Sequence, residues 1–172
     1  MKVIFTYAAL RDLPKIVLTY NSSIPSRMAT ADLEPVTVAS KQAWFDAHSP
    51  DKRPLWLVMI DGTYAGWMSF NSFYGRPAYD GTVEISIYLE EKFKGRGIGK
   101  KCLEKAIQEA PKLNVHTLLG FIFGHNSASI KLFESFGFKT WGKFPRVAAM
   151  DGEMRDLHIL GLKTNHPLNV NR

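Results

Sequence analysis

The chain has 172 residues, 45% of them hydrophobic and 22% charged, which predicts one globular domain over residues 1–165 followed by a short tail over 166–172. A formal net charge of +6 suggests nucleic acid as a partner. The basic residues, however, are spread along the chain and no nucleic-acid-binding motif accompanies them, so we expect no nucleic acid partner and favour an anionic small ligand. The apolar runs LWLVMI and LLGFIF are too short to span a bilayer, and the N-terminus lacks signal-peptide features, so we expect a cytoplasmic protein without membrane contact.

The first third of the chain predicts a strand and two helices. A short strand covers residues 2–6. The segment RDLPKIVLTYNSSI predicts a helix with Asp12 as its N-cap and Pro14 in its first turn. Ser40 is the predicted cap of a second helix in KQAWFDAH.

The middle and end of the chain predict a hairpin and then alternating helices and strands. Two apolar runs meet at Asp61-Gly62, a pair that tolerates positive φ and favours a hairpin turn. A further antiparallel strand is expected over 81–90. The remaining predictions are a helix over 97–110, a strand over 115–123, a helix over 126–136, a strand over 138–142 and a last strand near 154–163.

A strand with two different faces precedes a glycine-rich junction. In TVEISIYL, the apolar residues alternate with Thr82, Glu84, Ser86 and Tyr88, so one face is core and the other is available for chemistry or solvent. The next helix has an apolar stripe that includes the single cysteine, Cys102. One cysteine excludes an internal disulfide and a cysteine-based zinc site, and we expect it to be a packing residue and expect no metal.

The segment EKFKGRGIGKK places glycines and basic residues where this strand meets the helix. Unpaired N–H groups and the positive dipole end of a helix attract phosphate, and glycine lets phosphate approach closely. The spacing matches neither a Walker A loop nor a dinucleotide fingerprint. From the residues alone, a simple helix-starting turn stays open as the alternative.

KGRGIGKKCL resembles the pyrophosphate loop of the Gcn5-related N-acetyltransferases (GNAT), although Lys94 stands where that family usually has Arg or Gln. A second segment, HNSASIKLFESFGF, resembles the family's helix beside the coenzyme arm. The resemblance implies acetyl-CoA as co-substrate, held mainly by backbone N–H groups. The residues that it implies for coenzyme binding are Ile87, Tyr88, Leu89, Lys94, Gly95, Arg96, Gly97, Ile98, Gly99, Lys100, Asn126 and Ser129.

The resemblance extends over nearly the whole chain to the phosphinothricin and methionine sulfoximine acetyltransferase branch, through KQAWFDAH, RPAYDGTVEISIYL and NSASIKLFESFGF. It implies an α/β (α+β) fold with a mixed, mostly antiparallel sheet of six or seven strands and about four helices. It also implies a bulge that splays the fourth strand from the fifth, with a backbone N–H of Ile87–Leu89 aimed at the thioester carbonyl. A homodimer is expected, because relatives often pair.

The same resemblance implies roles at the acceptor site. Glu84 matches an acidic position of the family and is the candidate base for the amine. Phe133 occupies the position where many relatives have a Tyr that protonates the thiolate, so no general acid is assigned. Tyr88 and His125 stay open as alternatives. Arg76, Tyr79 and Phe73 are candidates for binding a small amino acid substrate such as phosphinothricin, methionine sulfoximine or methionine sulfone. Another amine, or a coenzyme A-binding module without catalysis, stays open as an alternative.

Overall fold

The computed structural model describes residues 1–170. The chain forms two compact units. The first combines Met1–Phe70 with Ser86–Lys101, and the second combines Asn71–Ile85 with the chain from Cys102 onward. Over the described residues, no helix combines the length and apolar character needed to cross a membrane.

Within residues 1–170 the structure has seven strands and five α-helices, besides short 3₁₀ turns. The strands are β1 Val3–Tyr7, β2 Leu55–Ile60, β3 Thr63–Ser72, β4 Thr82–Leu89, β5 Thr117–Phe123, β6 Lys139–Met150 and β7 Glu153–Lys163. The helices are α1 Leu13–Ser23, α2 Gln42–Asp46, α3 Ile98–Glu109, α4 Ser127–Glu134 and α5 Pro167–Val170. The short α5 falls in the predicted C-terminal tail, whose last two residues lie outside the described range.

The strands form one mixed sheet in the order β1-β2-β3-β4-β5-β7-β6. The pairs β1–β2, β2–β3, β5–β7 and β6–β7 are antiparallel. The pair β4–β5 is parallel, because α3 lies between these strands in the chain and returns it in the same direction. The predicted fold class, a mixed sheet of six or seven strands flanked by helices, is confirmed.

The predicted helix starts are partly correct. Asp12 is the N-cap of α1, but its side chain does not cap the helix. Its carboxylate instead accepts the Ala9 N–H at 2.8 Å and pairs with Lys15 at 2.7 Å. The prediction for Ser40 is wrong: Ser40 lies inside a 3₁₀ turn, and its N–H donates to the Thr37 hydroxyl at 3.0 Å. The N-cap residue of this turn is Val38 and that of α2 is Lys41, and neither side chain makes a capping hydrogen bond.

Two hairpins share the same turn chemistry. Asp61 and Gly62 have φ of 48° and 82°, and they join β2 to β3 as predicted. Asp151 and Gly152 have φ of 51° and 81° and join β6 to β7. The strand predicted over 138–142 is therefore too short, since β6 continues to this second turn.

A β-bulge in β3 supports the end of β4 within the first unit. The register between β2 and β3 shifts at Val58/Met59, which leaves Ala65 as the extra residue. The Ala65 carbonyl accepts the Glu90 N–H at 2.8 Å. Next to it, a Cβ on Gly66 would lie 2.1 Å from the Tyr88 carbonyl oxygen. Only glycine therefore allows β3 to approach β4 this closely.

The two faces of β4 and β5 are distinguished by their register in the second unit. Parallel pairing covers Thr82–Glu84 with Thr117–Leu119, so Glu84 and Leu119 share one face and Val83 and Leu118 share the other. Val83 and Leu118 are fully buried. Gly120 lies on the Val83 face by alternation, and the Phe133 ring of α4 covers it.

Helix α3 buries the predicted apolar stripe. Ile98, Cys102, Leu103 and Ala106 are at most 1% exposed. Burial raises the pKa of the Cys102 thiol to about 12, so the thiolate is scarce at neutral pH. The interpretation of Cys102 as a packing residue is confirmed.

Candidate functional site

The glycine segment forms an open loop directly before α3. Gly95 and Gly97 have φ of 72° and 78°, in the left-handed region that glycine adopts without strain. A Cβ added to either glycine would meet no atom within 4 Å. The backbone therefore faces open space at both positions, and α3 begins at Ile98 with its first N–H groups unpaired within the helix.

Basic side chains surround this loop, and some are already engaged. Lys94 pairs with Glu91 at 2.7 Å, and Lys92 pairs with Glu90 at 3.0 Å. The Arg96 guanidinium lies 5.6 Å from the centre of the Phe93 ring. Exposed ion pairs contribute little free energy, so Lys94 can exchange Glu91 for an anionic ligand at small cost.

The end of β4 is held by aromatic packing in the first unit. The Tyr88 ring stacks on Trp67 at 4.7 Å and packs against Tyr20 at 5.0 Å. Its hydroxyl donates to the Ala29 carbonyl at 3.1 Å. The Tyr88 side chain is thus a packing group, so only the Tyr88 backbone is proposed to contact the coenzyme.

Glu84 is a half-buried carboxylate on the face of β4 that it shares with Leu119 of β5. Burial raises the pKa of the Glu84 carboxyl above its ordinary value, because desolvation disfavours the charged form. A carboxylate with a raised pKa is a stronger base near neutral pH. This is the property that proton removal from an ammonium group requires.

Asn126 and Phe133 belong to α4 and to the turn before it. The Asn126 side chain caps α4 by accepting the Ser129 N–H at 3.2 Å. Phe133 is 6% exposed, and its ring packs edge-on against Phe138 at 4.9 Å. Phe133 also covers Gly120, on the opposite face of the sheet from Glu84. It is a core residue.

The candidate acceptor residues lie on a tight turn after β3. Tyr74 and Gly75 have φ of 57° and 63°, and a 3₁₀ turn over Pro77–Tyr79 follows. The Phe73 ring contacts Tyr79 at 5.5 Å and Tyr74 at 4.5 Å, both edge to face. Arg76, between them in the chain, is exposed and forms no side-chain ion pair with any residue in the range 1–170.

The same ring cluster includes one residue that sequence reasoning missed. Phe121 of β5 lies 6.4 Å from the Phe73 ring centre and is 36% exposed. It stands in the run TLLGFIF, where continuous hydrophobicity hides the change from a buried to an exposed position. An exposed aromatic between buried neighbours is a signal that only the structure provides.

Comparison with known proteins identifies the family. The sequence model described as the Acetyltransferase (GNAT) family matches residues 18–138. The chain belongs to the GNAT acetyltransferase family. The resemblance seen in the glycine loop and in the α4 segment is thereby confirmed.

Relatives that match about nine tenths of the chain identify this GNAT protein as an acetyl-CoA-dependent N-acetyltransferase. A Bacillus subtilis (strain 168) protein, YwnH, provisionally named a phosphinothricin acetyltransferase, is 51% identical over 88% of this chain and 93% of its own length. The L-methionine sulfoximine/L-methionine sulfone acetyltransferase of Pseudomonas paraeruginosa is 33% identical over 90% of this chain and 91% of its own. Among solved structures, the chain is similar to a GNAT superfamily phosphinothricin acetyltransferase from Sinorhizobium meliloti in complex with AcCoA. The TM-score is 0.90 and the sequence identity is 25%, and the match covers 98% of this chain and 92% of that one.

Proposed function

We propose that this acetyltransferase transfers the acetyl group of acetyl-CoA to the α-amino group of a small amino acid analogue such as phosphinothricin, methionine sulfoximine or methionine sulfone. The observation that supports this most is the 33% identity, across nine tenths of the chain, to a protein named for L-methionine sulfoximine and L-methionine sulfone. The name of the relative at 51% identity points to the same class of acceptor.

The glycine loop fits the pyrophosphate of the coenzyme. Its two left-handed glycines face open space that any Cβ would partly fill, directly before a 12-residue helix. Backbone N–H groups of residues 95–100 would bind the phosphate oxygens, and Lys94, Arg96 and Lys100 would add longer-range attraction. Acetyl-CoA supplies an acetyl group activated as a thioester.

Glu84 is the proposed base. An α-ammonium group with a pKa near ~8 is mostly charged at pH 7 and cannot attack a carbonyl. Glu84 accepts one ammonium proton, directly or through water, and the neutral amine then attacks the acetyl carbonyl carbon. A C–N bond forms and the C–S bond breaks. The sulfur leaves with the bonding electron pair, and the second amine proton passes to the thiolate or to water.

No general acid is assigned to the departing thiolate. Phe133 has no proton to donate, and its ring is buried against Gly120. A thiolate is a weak enough base to leave without protonation. For the developing oxyanion, the proposed donor is a backbone N–H within Ile87–Leu89. Packing holds this segment in place, because the Tyr88 ring stacks on Trp67 and the Tyr88 hydroxyl donates a hydrogen bond to the Ala29 carbonyl.

Arg76 and Tyr79 are the proposed ligands for the acceptor's oxygen atoms. The exposed guanidinium of Arg76 offers a planar fork to a carboxylate or to a tetrahedral phosphinyl or sulfonyl group. Tyr79 offers a hydroxyl from a ring that packs edge-on against Phe73. The turn at Tyr74-Gly75 holds both residues on one short loop.

An acceptor panel tests the proposed function. Coenzyme A thiol release should be measured with methionine sulfoximine, phosphinothricin, methionine sulfone and plain methionine, and also with a peptide N-terminus and a polyamine. We expect high kcat/KM for the first three and a much lower value for methionine, because binding donors would be left unpaired. Preference for peptides, polyamines or methionine would reject the acceptor class and leave acetyl transfer intact.

A further inference from the structure

Phe121 lies on the same face of the sheet as the proposed base. Glu84 and Leu119 are register partners in the parallel β4–β5 pair, so their side chains point to one face. Phe121 is two residues further along β5 and returns to that face. Leu119 is 4% exposed, whereas Phe121 is 36% exposed. The apolar surface of this face therefore opens just beyond the residue that pairs with Glu84.

The Phe121 ring also connects β5 to the candidate acceptor loop. It meets Phe73 edge to face, with ring centres 6.4 Å apart and planes at 80°. Phe73 meets Tyr79 and Tyr74 in the same manner. These contacts join Phe73, Tyr74, Tyr79 and Phe121 into one aromatic cluster. Edge-to-face pairs hold defined geometries and add about 0.5–1.5 kcal/mol each beyond area burial.

We propose that Phe121 is a specificity-determining residue that forms the apolar wall of the acceptor site. The inference rests on the proposed function, since it assigns the wall to the acceptor whose amine Glu84 deprotonates. The non-reacting end of the amino acid, including the methyl group of a sulfone or phosphinate, packs against the Phe121 and Phe73 rings. Arg76, on the loop of the aromatic cluster, binds the oxygen atoms.

The chemistry of the aromatic cluster supports this occupant. The exposed rings present apolar surface, and their loop carries an exposed guanidinium, so one small face offers both apolar packing and a cationic fork. A polar tetrahedral group that bears a methyl substituent has matching chemistry. A polyamine matches less well, because its cationic nitrogens would be repelled by Arg76.

Phe121→Ala enlarges the proposed acceptor site and Phe121→Trp narrows it, so the two variants should change acceptor preference in opposite directions. Removal of the ring should raise the KM for methionine sulfone by about 10-fold or more, within the range for lost apolar contact in a pocket, and leave the KM for acetyl-CoA unchanged. The larger site should also raise the kcat/KM of phenylalanine relative to methionine sulfone. Phe121→Trp narrows the site and should lower that ratio. Phe121→Leu, which keeps apolar volume, should fall between wild type and Phe121→Ala.

Phe144→Ala is the matched control, because Phe144 is a similarly exposed phenylalanine on β6, at 44%. It should change neither the KM nor the ratio. An equal loss for every acceptor in the Phe121 variants, or an unchanged ratio, would overturn the assignment. If wild type rejects amino acid analogues, the proposed function fails on that result alone. The ratio is then measured with a small and a large amine that it does accept, and the same criterion decides the role of Phe121.

Discussion

The Phe133 ring occupies the space that a side chain on Gly120 would need. A Cβ on Gly120 would lie 2.5 Å from Phe133 Cε1, and the Phe133 ring also packs edge-on against Phe138 at 4.9 Å. We predict that Gly120→Ala destabilises the protein by about 1–3 kcal/mol, the usual cost of overpacking. Urea denaturation measures it. The double variant Gly120→Ala/Phe133→Leu should recover part of the loss, and strictly additive effects would contradict this account.

Coenzyme binding should be more sensitive to Gly97 than to the charge beside it. Gly97→Val places a branched side chain in the space proposed for pyrophosphate and should weaken acetyl-CoA binding strongly, whereas Lys100→Ala should have a smaller, salt-sensitive effect. Gly62→Val is the matched control for backbone strain, because Gly62 has φ of 82° and the same open surroundings. Titration calorimetry compares all three. Equal losses for Gly97→Val and Gly62→Val would remove the loop from the site.

Glu84→Gln should separate proton acceptance from binding. The substitution keeps the shape of the side chain and removes its basicity, so kcat at neutral pH should fall by roughly 100-fold or more. Acetyl-CoA affinity, measured by calorimetry, should change little. The deficit should shrink at high pH, where the amine is already neutral. Wild-type turnover in a folded Glu84→Gln protein would exclude this residue as the base.

The raised pKa of Glu84 also predicts how stability depends on pH. The folded state holds the Glu84 proton more tightly than the unfolded state, so the free energy of unfolding falls as pH rises from the ordinary carboxyl pKa of 4.5 through the raised value. Glu84→Gln cannot ionise. Its melting temperature relative to wild type should therefore increase across this window and stay constant above it.

Glu109 provides a control of opposite sign for this measurement. Burial tends to raise the pKa of Glu109, but hydrogen bonds and ion pairs with Lys112 and Lys105 outweigh it and lower the pKa. The ionised Glu109 carboxylate stabilises the folded state above the ordinary carboxyl pKa, and this stabilisation is lost as pH falls through the lowered pKa. Glu109→Gln should thus lose stability relative to wild type at neutral pH and approach it in acid. The same direction of change in both variants would refute the assigned causes.

Arg76→Lys should weaken acceptor binding without affecting the coenzyme. Lysine keeps the charge but cannot form two parallel hydrogen bonds to a carboxylate or sulfone, so the KM for methionine sulfone should rise while that for acetyl-CoA does not. Tyr79→Phe should act in the same direction more mildly. Steady-state kinetics with both substrates varied measures this, and an unchanged acceptor KM in Arg76→Lys would take Arg76 out of the acceptor site.

Local chemistry explains which elements could be predicted from sequence. The Asp61-Gly62 hairpin was predictable because its turn residues join two runs rich in apolar and aromatic residues. Asp151-Gly152 carries the same signal, but the preceding strand contains Pro145 and is interrupted by register shifts, so its alternation is hidden. Ser40 was misassigned because a 3₁₀ turn precedes α2: Ser40 lies in that turn and bonds to Thr37, and Lys41 is the N-cap residue of α2.

The backbone shape of the candidate site was predictable from residue type, whereas the roles that family positions imply for its residues stay predictions. The glycine loop follows from residue type, since few other residues accept φ near 75° twice in three positions. Phe121 could not be found in the same way, because its contact with Phe73 joins segments far apart in the chain. The bulge expected in β4 and the homodimer stay predictions, to be tested by an experimental structure with coenzyme and by light scattering across dilution.

Gly66 gives the proposed catalytic strand a fixed support. Its φ of 152° and the 2.1 Å separation between a hypothetical Cβ and the Tyr88 carbonyl oxygen mean that any other residue must push β3 and β4 apart. The close approach of the two backbones at Gly66 thereby adds to the packing of the Tyr88 ring in fixing the end of β4. The proposed acceptor residues lie on a separate loop, so substitutions there should change the acceptor while the backbone proposed to serve acetyl transfer keeps its geometry, which would suit this chain to the engineering of acetyltransferases of altered specificity.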